Sequence, residues 1–277
     1  MQQQGIKISE PLVSVVIPTY NSSNTIKTCI ESLIHQTYEN LEIIVIDNHS
    51  VDETREIVRT FALEPIVAGP ERSSQVNLGV RRARGKYVYR VDSDFVVGRT
   101  VVEECVDACE TNNLDAVVVH NTSDPTVSFW SRVRKFERDM HIGGEGNIAV
   151  RFVKAQVWSR LGGLDESLIA GEDYDFHNRF VKNRYRFGYV ESYEVHLGEP
   201  KSLAEVALKH YKYGKTIMRF AKKDPVRASR QLSPLRIGYV RNITEFSDPT
   251  MIAGLFVYQL VRYLAALAGI VANFGPP

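Results

Sequence analysis

The sequence predicts an α/β fold with a mainly parallel central sheet, followed by basic amphipathic helices and a C-terminal hydrophobic helix. Three observations predict it. Short β-branched runs alternate with amphipathic helical patterns between residues 12 and 97, the connections between them are polar, and a dense block of Lys and Arg precedes a long apolar segment. The first run, Leu12 to Ile17, halts at Pro18-Thr19-Tyr20-Asn21, and Ile26, Cys29, Ile30, Leu33 and Ile34 give the next helix one apolar face. The second, Leu41 to Ile46, ends at Asp47 and a polar loop through Thr54, after which Ile57, Val58 and Phe61 carry a helix. A short strand, Pro65 to Ala68, leads through a helix containing Asn77-Leu78-Gly79 to Gly85-Lys86, where the chain turns into Tyr87 to Val91. Such alternation argues parallel strands covered by helices on both faces, with polar groups collected at one edge.

At that edge stand Asp92 and Asp94, one residue apart, between two apolar runs. An isolated D-x-D is most often a solvated turn. At the carboxyl end of a strand it aims two carboxylates where open α/β sheets bind ligands, and suits a hard divalent cation, Mn²⁺ or Mg²⁺, that grips a phosphate-bearing substrate.

Several further motifs stand in the same order: Val16-Ile17-Pro18-Thr19-Tyr20-Asn21, Val45-Ile46-Asp47 with its loop to Thr54, Asn77-Leu78-Gly79 with Ala83-Arg84-Gly85-Lys86-Tyr87, Asp92-Ser93-Asp94, Leu161-Gly162-Gly163-Leu164-Asp165-Glu166, and Gly171-Glu172-Asp173-Tyr174-Asp175. Over residues 12–200 this order resembles the family 2 glycosyltransferases, which carry the GT-A nucleotide-sugar-binding fold. One stretch departs from it, because Ser73-Ser74-Gln75-Val76 stands where a basic residue is usual. The resemblance implies transfer of a hexose from a nucleotide diphosphate sugar with inversion, which needs a base for the acceptor hydroxyl and a Lewis acid for the leaving diphosphate. It assigns metal ligation to Asp94, and the ribose or a water-mediated metal contact to Asp92. Pro18, Thr19, Tyr20, Asn21, Asn77 and Ser93 are expected around the nucleotide sugar, with Asp47 on the base; the competing reading of Asp47 is a helix cap, which Asp52 or Ser50 fits better. Asp173 falls on the catalytic base, with Glu172 and Asp175 positioning it or the acceptor, although adjacent acids also simply favour a helix N-terminus. His196 ends an alternating run where some relatives complete the metal shell, while a lone His is usually structural. Lys209 and Tyr213 are expected near the acceptor. They stand about where processive relatives carry Q-x-x-R-W, but match it poorly; Gln259-Leu260-Val261-Arg262-Tyr263 matches better inside the apolar tail, so processivity is not expected.

A chain of 277 residues with 44% hydrophobic content buries a full core. The three cysteines, Cys29, Cys105 and Cys109, are odd in number and read as reduced packing residues. Met1 to Gly5 lacks a secretory apolar region, so the sequons at Asn21, Asn121 and Asn242 carry no weight. The net charge of +1 hides an asymmetry: residues 201–241 hold eleven Lys or Arg against Glu205 and Asp224. A basic amphipathic block followed by the apolar Met251 to Phe274 is a membrane signature, with a solvated face or a nucleic-acid patch as its competitors. The expected organisation is a catalytic domain over 1–200, a basic interfacial segment over 201–247, and a membrane-spanning or membrane-embedded helix over 248–277. Arg262 near the middle opposes spanning by roughly 2.5–3.5 kcal/mol. An interfacial helix, or a homo-oligomer that buries Arg262 through Gly254, Ala265 and Gly269, is the alternative. The positive-inside rule places the catalytic domain in the cytoplasm, at the cell membrane.

These features converge on an acceptor borne by lipid, a polyprenyl or dolichyl phosphate or a glycan linked to one. The donor expected on family grounds is GDP-mannose, then a UDP-sugar such as UDP-glucose. A nucleotidyltransferase would want a Gly-rich basic loop after the first strand, which Pro18-Thr19-Tyr20-Asn21 does not supply. A non-catalytic membrane adaptor is opposed by intact Asp92, Asp94 and Asp173. No nucleic-acid partner is expected.

Overall fold

The computed structural model describes residues 10–140, 149–233 and 248–274. The N-terminal Met1 to Gly5, Arg236, Arg241 and the Asn242 sequon lie outside the described residues. Eight strands form one mixed sheet: β1 (Val13–Thr19), β2 (Leu41–Asp47), β3 (Ile66–Val67), β4 (Tyr87–Arg90), β5 (Phe95–Val97), β6 (Ala116–Ser123), β7 (Phe152–Lys154) and β8 (Phe187–His196). Their order is β3-β2-β1-β4-β7-β6-β8-β5. The first four of that order run parallel, as the alternation predicts; β7 is antiparallel to both β4 and β6, β6 and β8 are parallel, and β5 closes the edge antiparallel to β8.

Helices α1 (Ile26–Ile34), α2 (Thr54–Arg59) and α4 (Val101–Thr111) cover one face, packing Ile30, Leu33, Val58 and Val102 against Val15, Ile17 and Tyr89. Cys29, Cys105 and Cys109 are free and buried in this layer, as their count and spacing imply. The other face receives α3 (Arg72–Arg82), α6 (Ala155–Leu161) and α7 (Glu172–Lys182), with Trp158 and Phe176 against Val118 and Val153. Burying each such side chain contributes about 1.5–3 kcal/mol.

A third layer is built from α5 (Phe129–Asp139), α8 (Leu203–Lys223), α9 (Pro225–Gln231) and α10 (Pro249–Phe274). Ser128 caps α5 and Ser202 caps α8, each accepting a backbone N–H of the first turn. Pro249–Asn273 is long and apolar enough to cross a membrane by length and composition. It is nonetheless seated along α8 and α5, with Leu255 and Tyr258 in a cluster with Val133 and Val206. Arg262 Nη1 and Gln259 Nε2 both donate to Glu137 Oε1 at 2.9 Å, so the charge that opposed a free span is paired inside the protein. The helices touch at two glycines: a Cβ on Gly214 would lie 2.1 Å from the Ala266 carbonyl oxygen, and one on Gly269 2.1 Å from that of Tyr211. The outer face of α10 stays apolar and exposed at Phe256, Leu260, Leu264, Leu267 and Val271.

Candidate active site

The chain leaves the centre of the sheet at Val91, forms the loop Asp92 to Asp94, and re-enters at the far edge as β5. There the antiparallel register sets Phe95 opposite His196, and the Leu197 N–H donates to the Asp94 carbonyl at 2.8 Å. Asp94 Oδ2 therefore meets His196 Nε2 at 3.1 Å, while His196 Nδ1 lies 2.7 Å from Glu199 Oε1. An imidazole with a carboxylate at each nitrogen needs either a second proton or a cation. Burial opposes the protonated ring, but Asp94 and Glu199 outweigh it and raise the His196 pKa. Glu199 is held the other way: burial resists its charge, yet His196 and Arg138 draw its pKa down to about 2.

Asp92 is differently placed. Its Oδ2 takes Arg72 Nη1 at 3.2 Å and Arg151 Nη2 at 3.1 Å, while its Oδ1 is buried without a partner. Burial alone would raise its pKa; Arg72, Arg151 and Arg90 together hold it well below the usual carboxylate range. Arg151 lies 3.5 Å from Glu194 Oε2 and stacks over Phe95, and Tyr89 Oη donates to Glu194 Oε1. Arg72, at the first turn of α3, also pairs with Glu172. The cation missing from residues 73–76 is thus supplied one helical turn before Val76.

These groups open on a cavity of about 600 Å³, walled by the sheet, α5, α7, α8 and α10 and lined by Arg72, Asp92, Glu172, Asp173, Lys209 and Tyr213 among others. Asp173 stands in the first turn of α7, after Gly171 in the left-handed conformation that φ = 82° requires, and its Oδ1 accepts from the Tyr174 N–H at 2.8 Å. Tyr213 lies within electrostatic reach of Arg72, Asp173, Asp92 and Asp94; burial and the carboxylates raise its pKa against the pull of Arg72. Lys209, one turn earlier on α8, has no hydrogen bond or ion pair among the described residues; desolvation in the recess, with Arg134 and Arg138 close by, lowers its pKa.

Other expected site residues have different surroundings. Asp47 is fully buried, with Ser50 Oγ at 2.5 Å from Oδ1 and the Ser50 N–H at 2.9 Å from Oδ2, so its carboxylate ties down the loop that follows β2. Asn77 accepts from the Leu164 N–H and donates to the Leu164 carbonyl and Glu166, each at 2.9 Å, fixing the loop after α6. Asp175 bonds Arg179 and Lys223, tying α7 to α8 away from the cavity. Asn21 and Ser50 stitch the loops after β1 and β2 together, Ser93 meets Ser22 at 2.9 Å, Pro18 and Thr19 are buried, and Tyr20 is exposed beside them.

A mixed sheet of this order, with an acidic pair beside a cation-lined cavity, defines a GT-A-like sugar transferase. The chain belongs to glycosyl transferase family 2, whose family model matches residues 14–159. It is 28% identical over 245 residues to chondroitin synthase of Escherichia coli, an alignment covering 73% of this chain and 34% of that protein. Alignments to the other leading curated relatives likewise span only about a third of their length. The mannosyltransferase PcManGT from Pyrobaculum calidifontis, solved in complex with GDP-Man and Mn²⁺, superposes with TM-score 0.67 at 19% identity, over 96% of this chain and 88% of that one. S. aureus TarS in complex with UDP-GlcNAc gives TM-score 0.54 at 16% identity, over 95% and 83%. These superpositions establish the shared fold.

Proposed function

We propose that the chain is an inverting, metal-dependent hexosyltransferase that moves a sugar, mannose from GDP-mannose in the first instance, to a lipid-linked acceptor at the cytoplasmic face of the cell membrane. The acceptor is a polyprenyl or dolichyl phosphate or a glycan carried on one. One observation carries this reading: Asp92, His196 and Asp173 line a single cavity roofed by two helices whose outer surface is apolar on α10 and basic on α8, at Lys212, Lys215, Arg219 and Lys222. The donor choice is supported by the likeness to a GDP-Man complex, and the UDP-sugar alternative by the likeness to a UDP-GlcNAc complex.

The residues fit a divalent cation. Asp94 Oδ2 and His196 Nε2 would hold it, with Glu199 fixing the other ring nitrogen and the unpartnered Asp92 Oδ1 nearby. Among the described residues no group of three or more His, Cys, Asp or Glu is placed to hold a metal ion, so the fit rests on Asp94 and His196. Once bound, the ion would supply positive charge to the leaving diphosphate. The chain's own part is proton transfer and orientation. Where the acceptor is a glycan hydroxyl, Asp173 takes its proton as the oxygen attacks the anomeric carbon, and where it is a lipid phosphate the already ionised phosphate oxygen attacks directly; in either case the bond to the diphosphate breaks with its electron pair, and attack from the opposite face inverts the centre. Arg72 holds Glu172 and Asp92 in place, while Tyr213 and Lys209 position the acceptor from α8.

The test incubates the purified full chain with a panel of nucleotide sugars, Mn²⁺ or Mg²⁺, and isoprenyl phosphates. Nucleoside diphosphate release with transfer to lipid is expected, highest with GDP-mannose. Release without any lipid product, or transfer to soluble glycans alone, would overturn the lipid acceptor.

A further inference from the structure

Arg90 is the last residue of β4, in a strand whose every position is buried, and is itself only 3% exposed. Its backbone is fully used: its N–H donates to the Arg151 carbonyl at 3.0 Å, and its carbonyl accepts from Arg151 Nε at 3.3 Å. Its guanidinium has no hydrogen bond or ion pair among the described residues, its Nε is wholly buried without a partner, and the side chain lines the cavity. A buried cation left unpaired is strongly unfavourable, and proteins retain one where an anion completes it. The neighbouring carboxylates form no ion pair with it: Asp92 is held by Arg72 and Arg151, Glu172 by Arg72, and Glu194 by Tyr89 and Arg151, while Asp173 acts on Arg90 only through space. Across the lining, seven Arg or Lys side chains stand against five carboxylates among the described residues, with Glu194 behind Arg151 as a sixth, so a cationic excess remains. The unpaired member is a planar guanidinium fork, whose parallel N–H groups suit the oxygens of a phosphate group. A divalent cation and the donor's diphosphate would largely offset one another and leave the excess in place.

We propose that Arg90 forms the floor of a phosphate subsite in this cavity and binds the phosphate of the lipid-borne acceptor. The inference rests on the reading of the cavity as a transferase's acceptor site, but its test does not require turnover. Burial, with Arg151 and Arg72 close by, lowers the Arg90 pKa to about 10, consistent with a cation lacking its counter-ion. The strand supplies rigidity: Arg90 is paired to Val16 of β1 on one side and clasped by Arg151 on the other, so the fork is presented to the cavity from a fixed backbone.

The experiment uses the full chain in detergent micelles and follows melting temperature with a short isoprenyl monophosphate, the matching isoprenol, inorganic phosphate, glucuronate and nucleoside diphosphates. The isoprenyl phosphate is expected to raise the wild-type melting temperature, and the isoprenol is not. Arg90→Met should weaken isoprenyl phosphate binding about 10–100-fold, with Arg90→Lys between. Nucleoside diphosphate binding should hold in both variants, and ligand-free Arg90→Met should melt no lower than wild type because an unpaired buried charge is gone. If Arg90→Met does not fold, the Arg90→Lys shift decides. Protection by inorganic phosphate alone, lost in Arg90→Met, would keep the phosphate subsite while removing the lipid from the proposed function. Undiminished isoprenyl phosphate binding in the variants, loss of nucleoside diphosphate instead, equal protection by isoprenol, or a preference for glucuronate would each overturn the assignment.

Discussion

The two halves of the site are built on opposite principles. On the side of β1, β2 and α3, polar groups answer one another with neutral or short-range bonds: Ser50 occupies Asp47, Asn21 joins the loops, and Asn77 clamps Leu164. On the side of α5, α7, α8 and α10, charges are packed in excess, and Arg90 and Lys209 form no hydrogen bond or ion pair among the described residues. Asn, Ser and Asp in the first half make a rigid frame, whereas the second half is left electrostatically open for ligands to complete. Motif residues can therefore belong to the frame, and residues outside any motif can belong to the chemistry.

The largest test of this division is Asp173→Asn. It should lower kcat by roughly 10²–10⁴ while leaving nucleotide affinity within about twofold, as measured by turnover and titration. Loss of nucleotide affinity with normal turnover at saturation would move Asp173 to substrate recognition. Glu137→Gln probes how the open half is held, since it leaves Arg134, Arg262 and Gln259 around a neutral amide. A stability loss of about 3–5 kcal/mol in denaturant titration is expected, with α10 released first in hydrogen exchange.

Asp94→Asn should reduce transfer about 10²–10³-fold without lowering the melting temperature, and added chelator should have no further effect. Full activity in that variant would sink metal ligation by Asp94. His177, on the buried side of α7, gives a pH signature. Burial, then Arg227, lowers its pKa from 6.5 to about 4, so the unfolded chain binds the extra proton first on acidification. Stability should fall between pH 6.5 and 4, by roughly 3 kcal/mol in all, and His177→Gln should flatten that slope. In the frame, Asn77→Ala should cost the least, about 1–3 kcal/mol, with kcat little changed in the folded fraction. A kcat loss as large as that of Asp173→Asn would break the division between frame and chemistry.

The sheet, the acidic loop and the positions of Asp173, His196, Lys209 and Tyr213 at or beside the cavity were legible because strand ends and helix starts fix direction locally. The partners of Asp47, Asn77 and Asp175 were not legible in the same way: Ser50 lies in the loop of Asp47 itself, but Leu164 is 87 residues from Asn77 and Lys223 is 48 from Asp175, pairings that only the fold makes. Arg72 was hidden by a shift of one helical turn. Arg90 did have a signal, a charge inside the apolar run Tyr87 to Val91, but whether it was paired depends on Arg151, Glu172 and Glu194, brought together only in three dimensions. The seating of Arg262 on Glu137 joins residues 125 apart and has no counterpart in hydropathy.

The edge pairing of β5 with β8 also has a consequence in time. The acidic loop emerges from the ribosome about a hundred residues before His196, the residue facing Phe95 in that register. At about 5–20 residues per second, the loop waits roughly 5–20 s for the strand that orders it. A slip of one residue would then turn the imidazole to the opposite face. A nascent chain holding β1 to β4 therefore has the frame of β1, β2 and α3 but no Asp94–His196 pair, which assembles only with the last strand.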